Sequence, residues 1–488
     1  MSLETTAKRQ IILTAKIKNM KILSNKKNVL ILGLLLILLI LPRIAVYPMF
    51  GKGMVSTDAE RRYYPQVEEL SESLTNFFHQ NGPFYSLFLL SFKKINVDIV
   101  AGPVLIQHIL GIITALIAFY YFRKINLPLA FLITIFVYSN WIAMWIEHTI
   151  LRDSLAAFLL VSLVVLVSLS AKKLKYFKFP FAFLAGLAGL LLIFTRVEFG
   201  VLFILMPLIL FIVKKREFPD FKFKNKSFFK WSFGYFLPLI VLSIIYIVML
   251  PQMPQAENPY GSSFKIAYLN LIPEAFYYDN SRYPELLERY QKILETSGGK
   301  LESNEKNREV VGKFQAVTEN YLFEHPEIDL SMLQIMDKIF IEIMTKNTLV
   351  YSESVLINVK NQILGISELH SLITKYKLSE SSSADRILRD YNIGTVWFSI
   401  ILFWLSLISL PFLFIKWKTL PPEIVMSFLV SVIQIGVLAF LADANHRFKY
   451  PIDPFIYFLQ FYLILIFLGT IVSGFKKYIV DKKEIKLS

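Results

Sequence analysis

The sequence predicts an all-α polytopic membrane protein, a bundle of about ten transmembrane helices with a helical extracytoplasmic domain. Three observations carry that reading. Hydrophobic residues make up 55% of the 488-residue chain and the mean hydropathy is +0.52, whereas soluble domains sit near about 45–50% on a count that includes glycine. Ten stretches approach the roughly 20 apolar residues that a helix needs to cross a bilayer core. Basic residues also fall unevenly on alternate connections.

In chain order, residues 1–27 are basic, with no small-residue cleavage site before the long apolar run that follows. They read as a cytoplasmic tail ahead of an uncleaved anchor. Residues 28–250 form an N-terminal membrane module. Its apolar stretches cover approximately 28–49, 99–122, 127–146, 150–170, 179–195, 197–213 and 231–250. The pair at 179–213 is short and broken only around Thr195-Arg-Val-Glu198, which leaves two tilted spans or one bent pair open. The first outer loop is 50–98. Residues 251–394 form one long connection, opened by Pro251 and Pro254. Leu286, Leu287, Tyr290 and Ile293 recur in it at helical spacing, as do Leu333, Met336, Ile339, Phe340 and Ile343. Residues 395–475 supply three further stretches, at 395–415, 421–442 and 452–474, and 476–488 is a second basic tail.

Lys and Arg set the orientation. With the N-terminus inside, inner segments hold twenty-seven basic residues and short outer segments nine. Cytoplasmic loops of membrane proteins carry this excess, so both ends read as cytoplasmic, in a plasma membrane. The same asymmetry accounts for the net charge of +15 without nucleic acid, because basic inner loops lie beside an anionic leaflet. The chain has no cysteine, which excludes disulfides, thiolate catalysis and Cys-ligated metals. Its six histidines are scattered, and no residue pattern supports a metal site, so a divalent ion has no backing in the sequence.

The outer face gathers the charges that topology charge does not explain. Asp58, Glu60, Arg61 and Arg62 lie in the first outer loop, and Arg43 interrupts the first apolar helix. Glu147, His148, Arg152 and Asp153 bracket the next outer turn, then come Arg196 and Glu198, and last Asp443, His446, Arg447 and Lys449. Loops near headgroups are charged in any case, and Arg152-Asp153 reads equally well as a helix-start pair. An ionisable residue at membrane depth is nonetheless costly and tends to mark a site, so Arg43 carries most information. Carboxylates with arginines at a lipid interface suit transfer of a sugar from a polyprenyl phosphate. Arginine stabilises the departing phosphate through charge-assisted forks, and a carboxylate deprotonates the acceptor hydroxyl.

The ordered pieces resemble the GT-C superfamily of polytopic glycosyltransferases, in the branch of the protein O-mannosyltransferases and lipid A aminoarabinose transferases. Arg43 precedes Asp58-Ala-Glu-Arg-Arg-Tyr-Tyr, similar to the family's Asp-(Glu or Ala)-x-x-x-Tyr loop. Asn81-Gly-Pro-Phe-Tyr-Ser-Leu-Phe resembles its Pro-Pro-Leu-Tyr lead-in to the second span. Glu147 precedes the fourth span, Thr195-Arg-Val-Glu198 is similar to a Thr-Arg-Pro-Glu turn, and His446-Arg-Phe-Lys-Tyr-Pro-Ile-Asp-Pro454 to an Arg-Tyr-x-x-Pro ending. The resemblance covers the membrane part and leaves 251–394 without a motif.

It implies a GT-C-like bundle with Asp58 as catalytic carboxylate. Glu60 stands one position later than the family's second acid. Arg43, Arg196 and Arg447 are implied at the donor phosphate, and Glu147 or Glu198 at sugar hydroxyls or a partner arginine. Tyr63, Tyr64 and Tyr85 are expected to pack the loop against the headgroup region, while His148 and His446 are expected to be structural. Arg61, Arg62, Arg152 and Lys449 are further candidates. The expected partners are a polyprenyl-phosphate sugar donor, membrane lipid and a glycan, lipid or protein acceptor, with no nucleic acid. Two rivals remain. A transporter or lipid-linked-sugar flippase would place polar groups mid-membrane, as Gln107-His108 does. A polysaccharide polymerase or ligase would hold its key residues in 251–394.

Overall fold

A computed structural model of the chain describes residues 26–56, 58–78, 82–171, 179–222, 225–249, 401–402, 404–441 and 450–485. Among these residues the regular elements are helical, and a single parallel bridge joins Met54 to Thr149. The expected domain at 251–394 lies outside the described residues, as do Arg447, His446 and Lys449 and the side chain of Arg61.

Helix α1 (Lys26–Phe50) is apolar nearly throughout, and its register decides where its one internal charge points. Leu35, Leu39, Arg43 and Val46 follow at steps of three or four residues and are buried, while Leu34, Ile37, Leu41 and Ile44 are exposed. A helix shows such steps on one face, so Arg43 faces the bundle and not the lipid side. The chain then folds back over the bundle end through a π-helical turn (Ala59–Tyr63), α2 (Tyr64–Glu72), a 3-10 turn (Leu74–Phe78) and α3 (Pro83–Lys94). Gly82 precedes α3 at φ +72°, a left-handed conformation that suits glycine, and Pro83 occupies the first turn.

Helix α4 (Ala101–Phe122) is followed by α5 (Leu127–Tyr138) and α6 (Trp141–His148). The expected continuous span at 127–146 is instead a pair bent by 52°. Asn140 explains the break: its side chain donates to the carbonyls of Phe136 and Val137 at the end of α5 and accepts from Ala143 N at the start of α6. One residue thereby satisfies both interrupted helix ends.

Helix α7 (Asp153–Ala171) is the centre of the molecule, packed against α4, α6 and the next helix, α8 (Phe179–Thr195). Buried residues make up 72% of its apolar window, against 22% in α1 and in α10 (Lys226–Met249). Helix α8 has Ala182, Ala185, Gly186, Ala188 and Gly189 buried. A Cβ on Gly186 would fall 1.8 Å from the carbonyl oxygen of Tyr235 in α10, and one on Gly189 would strike the Phe203 ring. Small residues permit this approach where no water-driven force holds helices together. Phe203 belongs to α9 (Gly200–Glu217), which follows a 3-10 turn at Val197–Phe199, so 179–217 forms two helices. The described residues end with α11 (Trp404–Ile415), α12 (Pro422–Leu441), a turn at Tyr450–Ile452 and α13 (Asp453–Ile485), which continues past the expected span end at 474.

Among the described residues six helical stretches are long and apolar enough to cross a membrane: Asn28–Pro48, Ala101–Phe122, Asp153–Ser170, Val197–Glu217, Lys226–Val248 and Tyr450–Val472. The bent pair is a seventh if counted as one span, and Phe179–Thr195, Trp404–Ile415 and Pro422–Leu438 are shorter apolar helices. Connections gather at two ends. Residues 54–58, 147–153 and 196–198 meet at one, through Met54 N to His148 O and Arg196 to Asp153. At the other, Tyr121 meets Ser168, Trp231 meets Ser170, and Arg216 donates to Trp417 O.

Candidate functional site

The site end is built on the short strand-like run 148–153. Met54 N donates to His148 O and Ile150 N to Met54 O, each at 2.9 Å, and Ser56 Oγ donates to Ile150 O. Ser56 Oγ also accepts from Ala59 N, opening the π-helical turn. These bonds seat Asp58 two residues past a main-chain clamp. Single π turns recur at functional sites because they rotate side chains out of helical register. Asp58 is half-buried, whereas Glu60 is exposed. Of the two candidate bases, Asp58 therefore faces the protein.

Two polar clusters flank this run. The first centres on the fully buried Glu147. Arg43 forks onto it, with Nε to Oε2 at 2.8 Å and Nη2 to Oε1 at 2.6 Å, and its Nη1 donates to Leu39 O. His108 Nδ1 lies 3.0 Å from Glu147 Oε2, and His108 Nε2 lies 3.1 Å from His148 Nδ1. The Tyr450 hydroxyl reaches Glu147 Oε1 at 3.3 Å. Gly111 makes the fork possible: a Cβ there would sit 2.0 Å from Glu147 Oε1 and 2.8 Å from Arg43 Nη2. Gln107 ties the cluster to the clamp by donating to the carbonyls of Glu147 and Thr149 while accepting from Tyr85.

The second cluster holds Asp58, Arg152, Asp153, Arg196 and Glu198. Arg196 is fully buried, donates from Nη1 to Asp153 and from Nε to Glu198 Oε1 at 2.6 Å, and stacks over Phe199. Arg152 packs against Gly82, whose imagined Cβ would lie 2.7 Å from Nη1. Burial pushes its guanidinium down, but Tyr63, Glu198, Asp153 and Asp58 together raise it, so it stays charged. That electrostatic neighbourhood joins Asp58 to residues almost a hundred and more positions away.

The structure thus brings Arg43 to Glu147, Arg196 to Glu198, and Asp58 into the field of Arg152. The tyrosines depart from expectation. Tyr63 and Tyr85 are buried edge to face at 4.9 Å instead of lying against headgroups, because Gln107 offers Tyr85 an internal acceptor. Burial, then Tyr63, Tyr64 and Asp153, push the Tyr85 phenol well up, so it remains a neutral donor. Tyr64 is half-buried and raised by burial, Asp98 and Glu60. Arg62 is half-buried in the π turn. Sequence reasoning read Asp153 as half of a helix-start pair and Gln107 as a mid-span group that favours a transporter, and assigned no role to Gly82 or Gly111. The glycines carry no chemical signal; their requirement is set by side chains that cross from other helices. No group of three or more His, Asp or Glu side chains suited to a metal occurs among the described residues. No family model, curated protein or solved structure matches the chain.

Proposed function

We propose that the protein is an integral membrane glycosyltransferase that moves a sugar from a polyprenyl-phosphate donor to an acceptor hydroxyl at the extracytoplasmic end of the bundle. Asp58 takes the hydroxyl proton as the acceptor oxygen bonds to C1 of the sugar. The C1–O bond to phosphate breaks on the opposite face, so the anomeric centre inverts and the lipid phosphate leaves as an anion. One observation supports this above the rest: Met54 and Ser56 bond to the run that carries Arg152, which seats Asp58, two residues on, in the field of Arg152, whose other acidic neighbours Asp153 and Glu198 pair with Arg196. A base and cationic groups at one lipid-level site are what the reaction needs. On this reading the six long stretches, the bent pair and the three shorter apolar helices together make ten crossings, with both termini cytoplasmic and 251–394 outside.

The test compares glycolipids and glycoproteins, by mass spectrometry, from cells with the gene, without it, and with Asp58→Asn. The product should be missing in the last two, with the variant inserted at normal level. Full transfer by Asp58→Asn would sink the mechanism.

The transporter reading is favoured by one observation, the buried Glu147–His108–His148 chain, which has the composition of a proton relay. It predicts that His108→Gln abolishes function while leaving Asp58→Asn active, the reverse of the glycosyl-transfer pattern.

A further inference from the structure

We propose that Arg152 is the side chain that takes the ligand's phosphate at the Asp58 end, a role that neither Arg43 nor Arg196 is placed to fill. The proposal rests on the glycosyl-transfer reading for its ligand class, a phosphate ester of the kind a polyprenyl donor carries. The first argument is by occupancy. Arg43 has both arms of its fork on Glu147 and its remaining Nη1 on Leu39 O, and it is 3% exposed. Turning it toward a ligand would leave Glu147 buried and charged, which is strongly disfavoured. Arg196 is 0% exposed and wedged between Asp153 and Glu198. It neutralises these carboxylates and holds the 147–153 run against the Val197–Phe199 turn.

Arg152 differs in each respect. It is partly exposed; its carbonyl accepts from Ala156 N at the start of α7, but among the described residues its guanidinium makes no hydrogen bond or ion pair. Its acidic neighbours Asp58, Asp153 and Glu198 act on it through space. A guanidinium keeps five N–H donors in a planar fork that matches phosphate oxygens. Gly82 backs its Nη1 at a position where φ is +72°, and an added methyl would collide with the guanidinium and with Thr195 O. The fork is therefore backed on one side by main chain and shares its surroundings with the carboxylate proposed as base. A phosphate held there would keep the sugar's C1 near Asp58.

The experiment labels arginines of the full-length protein in zwitterionic nanodiscs with phenylglyoxal and reads each site by mass spectrometry. Arg152 should react while Arg43 and Arg196 stay protected. A polyprenyl monophosphate should then reduce Arg152 labelling, and the matching polyprenol should not. Inorganic phosphate runs as a separate arm: protection by the lipid alone assigns a lipid-linked source, protection by both assigns the free anion, and either supports the phosphate site. Protection by neither, or equal protection by polyprenol, overturns it. In parallel, Arg152→Gln should weaken binding of the monophosphate about tenfold or more, Arg152→Lys should recover part of it, and Lys94→Gln on the exposed end of α3 should leave it unchanged. Unchanged binding by Arg152→Gln also overturns the proposal. Binding that is lost in Arg152→Gln but kept in an Asp58→Asn protein with full transfer activity leaves the phosphate site standing and removes the glycosyl-transfer mechanism; the converse pattern does the opposite.

Discussion

Arg43 and Glu147 show how single residues carry this molecule. A buried ion pair is a poor source of net stability, because desolvating two charges offsets their attraction, yet removing one partner strands the other. Arg43→Gln should therefore cost about 3–5 kcal/mol, read as a lower midpoint of thermal unfolding in detergent. Arg43→Met with Glu147→Leu should cost less than Arg43→Gln alone, and a double variant worse than the sum of its parts would contradict the pairing. Arg43 was legible from sequence because an arginine inside an apolar helix demands a partner. The identity of that partner was not, since Glu147 lies 104 positions away and several outer-face carboxylates were equally available. His108 was readable only as a polar group in a span. Its bridging place between Glu147 and His148 depends on how α4 crosses α6.

At the level of elements, helix ends and helix contacts are set by small and polar residues whose meaning depends on the neighbour. Gly111→Ala puts a methyl inside the Arg43–Glu147 fork, with α4 backbone on one side and a buried carboxylate on the other. The expected result is a loss of stability comparable to Arg43→Gln and no further loss when the two are combined; additive losses would show that the two act separately. Asp98 offers a pH test. Its carboxylate accepts from Ala101 N at 3.0 Å and Val100 N at 2.8 Å, and these bonds, with a smaller contribution from Lys52, hold it below the usual carboxylate range. A depressed folded-state value means the stabilisation is complete above the unfolded value, about pH 4, and disappears as pH falls through the folded value. The gap in melting temperature between wild type and Asp98→Ala should be constant at neutral pH and close in acid; a gap unchanged down to pH about 3 would rule the cap out. The positions of most apolar elements could be read from hydropathy alone. The 52° bend could not, because Ser139-Asn140 is a weak polar interruption until Asn140 is seen capping both helices.

At the scale of the whole molecule, the two ends of the bundle differ in chemistry. One collects Asp58, Arg152, Asp153 and Glu198 around Arg196. The other collects Arg123, Lys124, Lys416 and Lys418 on turns between helices and Lys214, Lys215 and Arg216 in the last turn of α9. Segregation of this kind follows when positive loops resist translocation, and it predicts that the acidic end is extracytoplasmic. The absence of native cysteine makes this directly measurable. Lys52→Cys, exposed in the 50–98 connection, should react with a membrane-impermeant maleimide in intact cells. Lys418→Cys, exposed on the opposite turn, should react only after the membrane is opened. The reversed pattern would invert the topology and put Asp58 and Arg152 on the cytoplasmic side, where the proposed donor's sugar would have to face inward. Labelling of both from outside would break the alternation itself. An intermediate helix would then not cross, and the first to question are the three short ones, Phe179–Thr195, Trp404–Ile415 and Pro422–Leu438. Phe179–Thr195 is the most constrained of these. It packs on α7 and α10, meets the Tyr235 backbone of α10 at Gly186 and the Phe203 ring of α9 at Gly189, and delivers Arg196 to Asp153 at the site end, so it must run the full distance between the two ends for the acidic cluster to form.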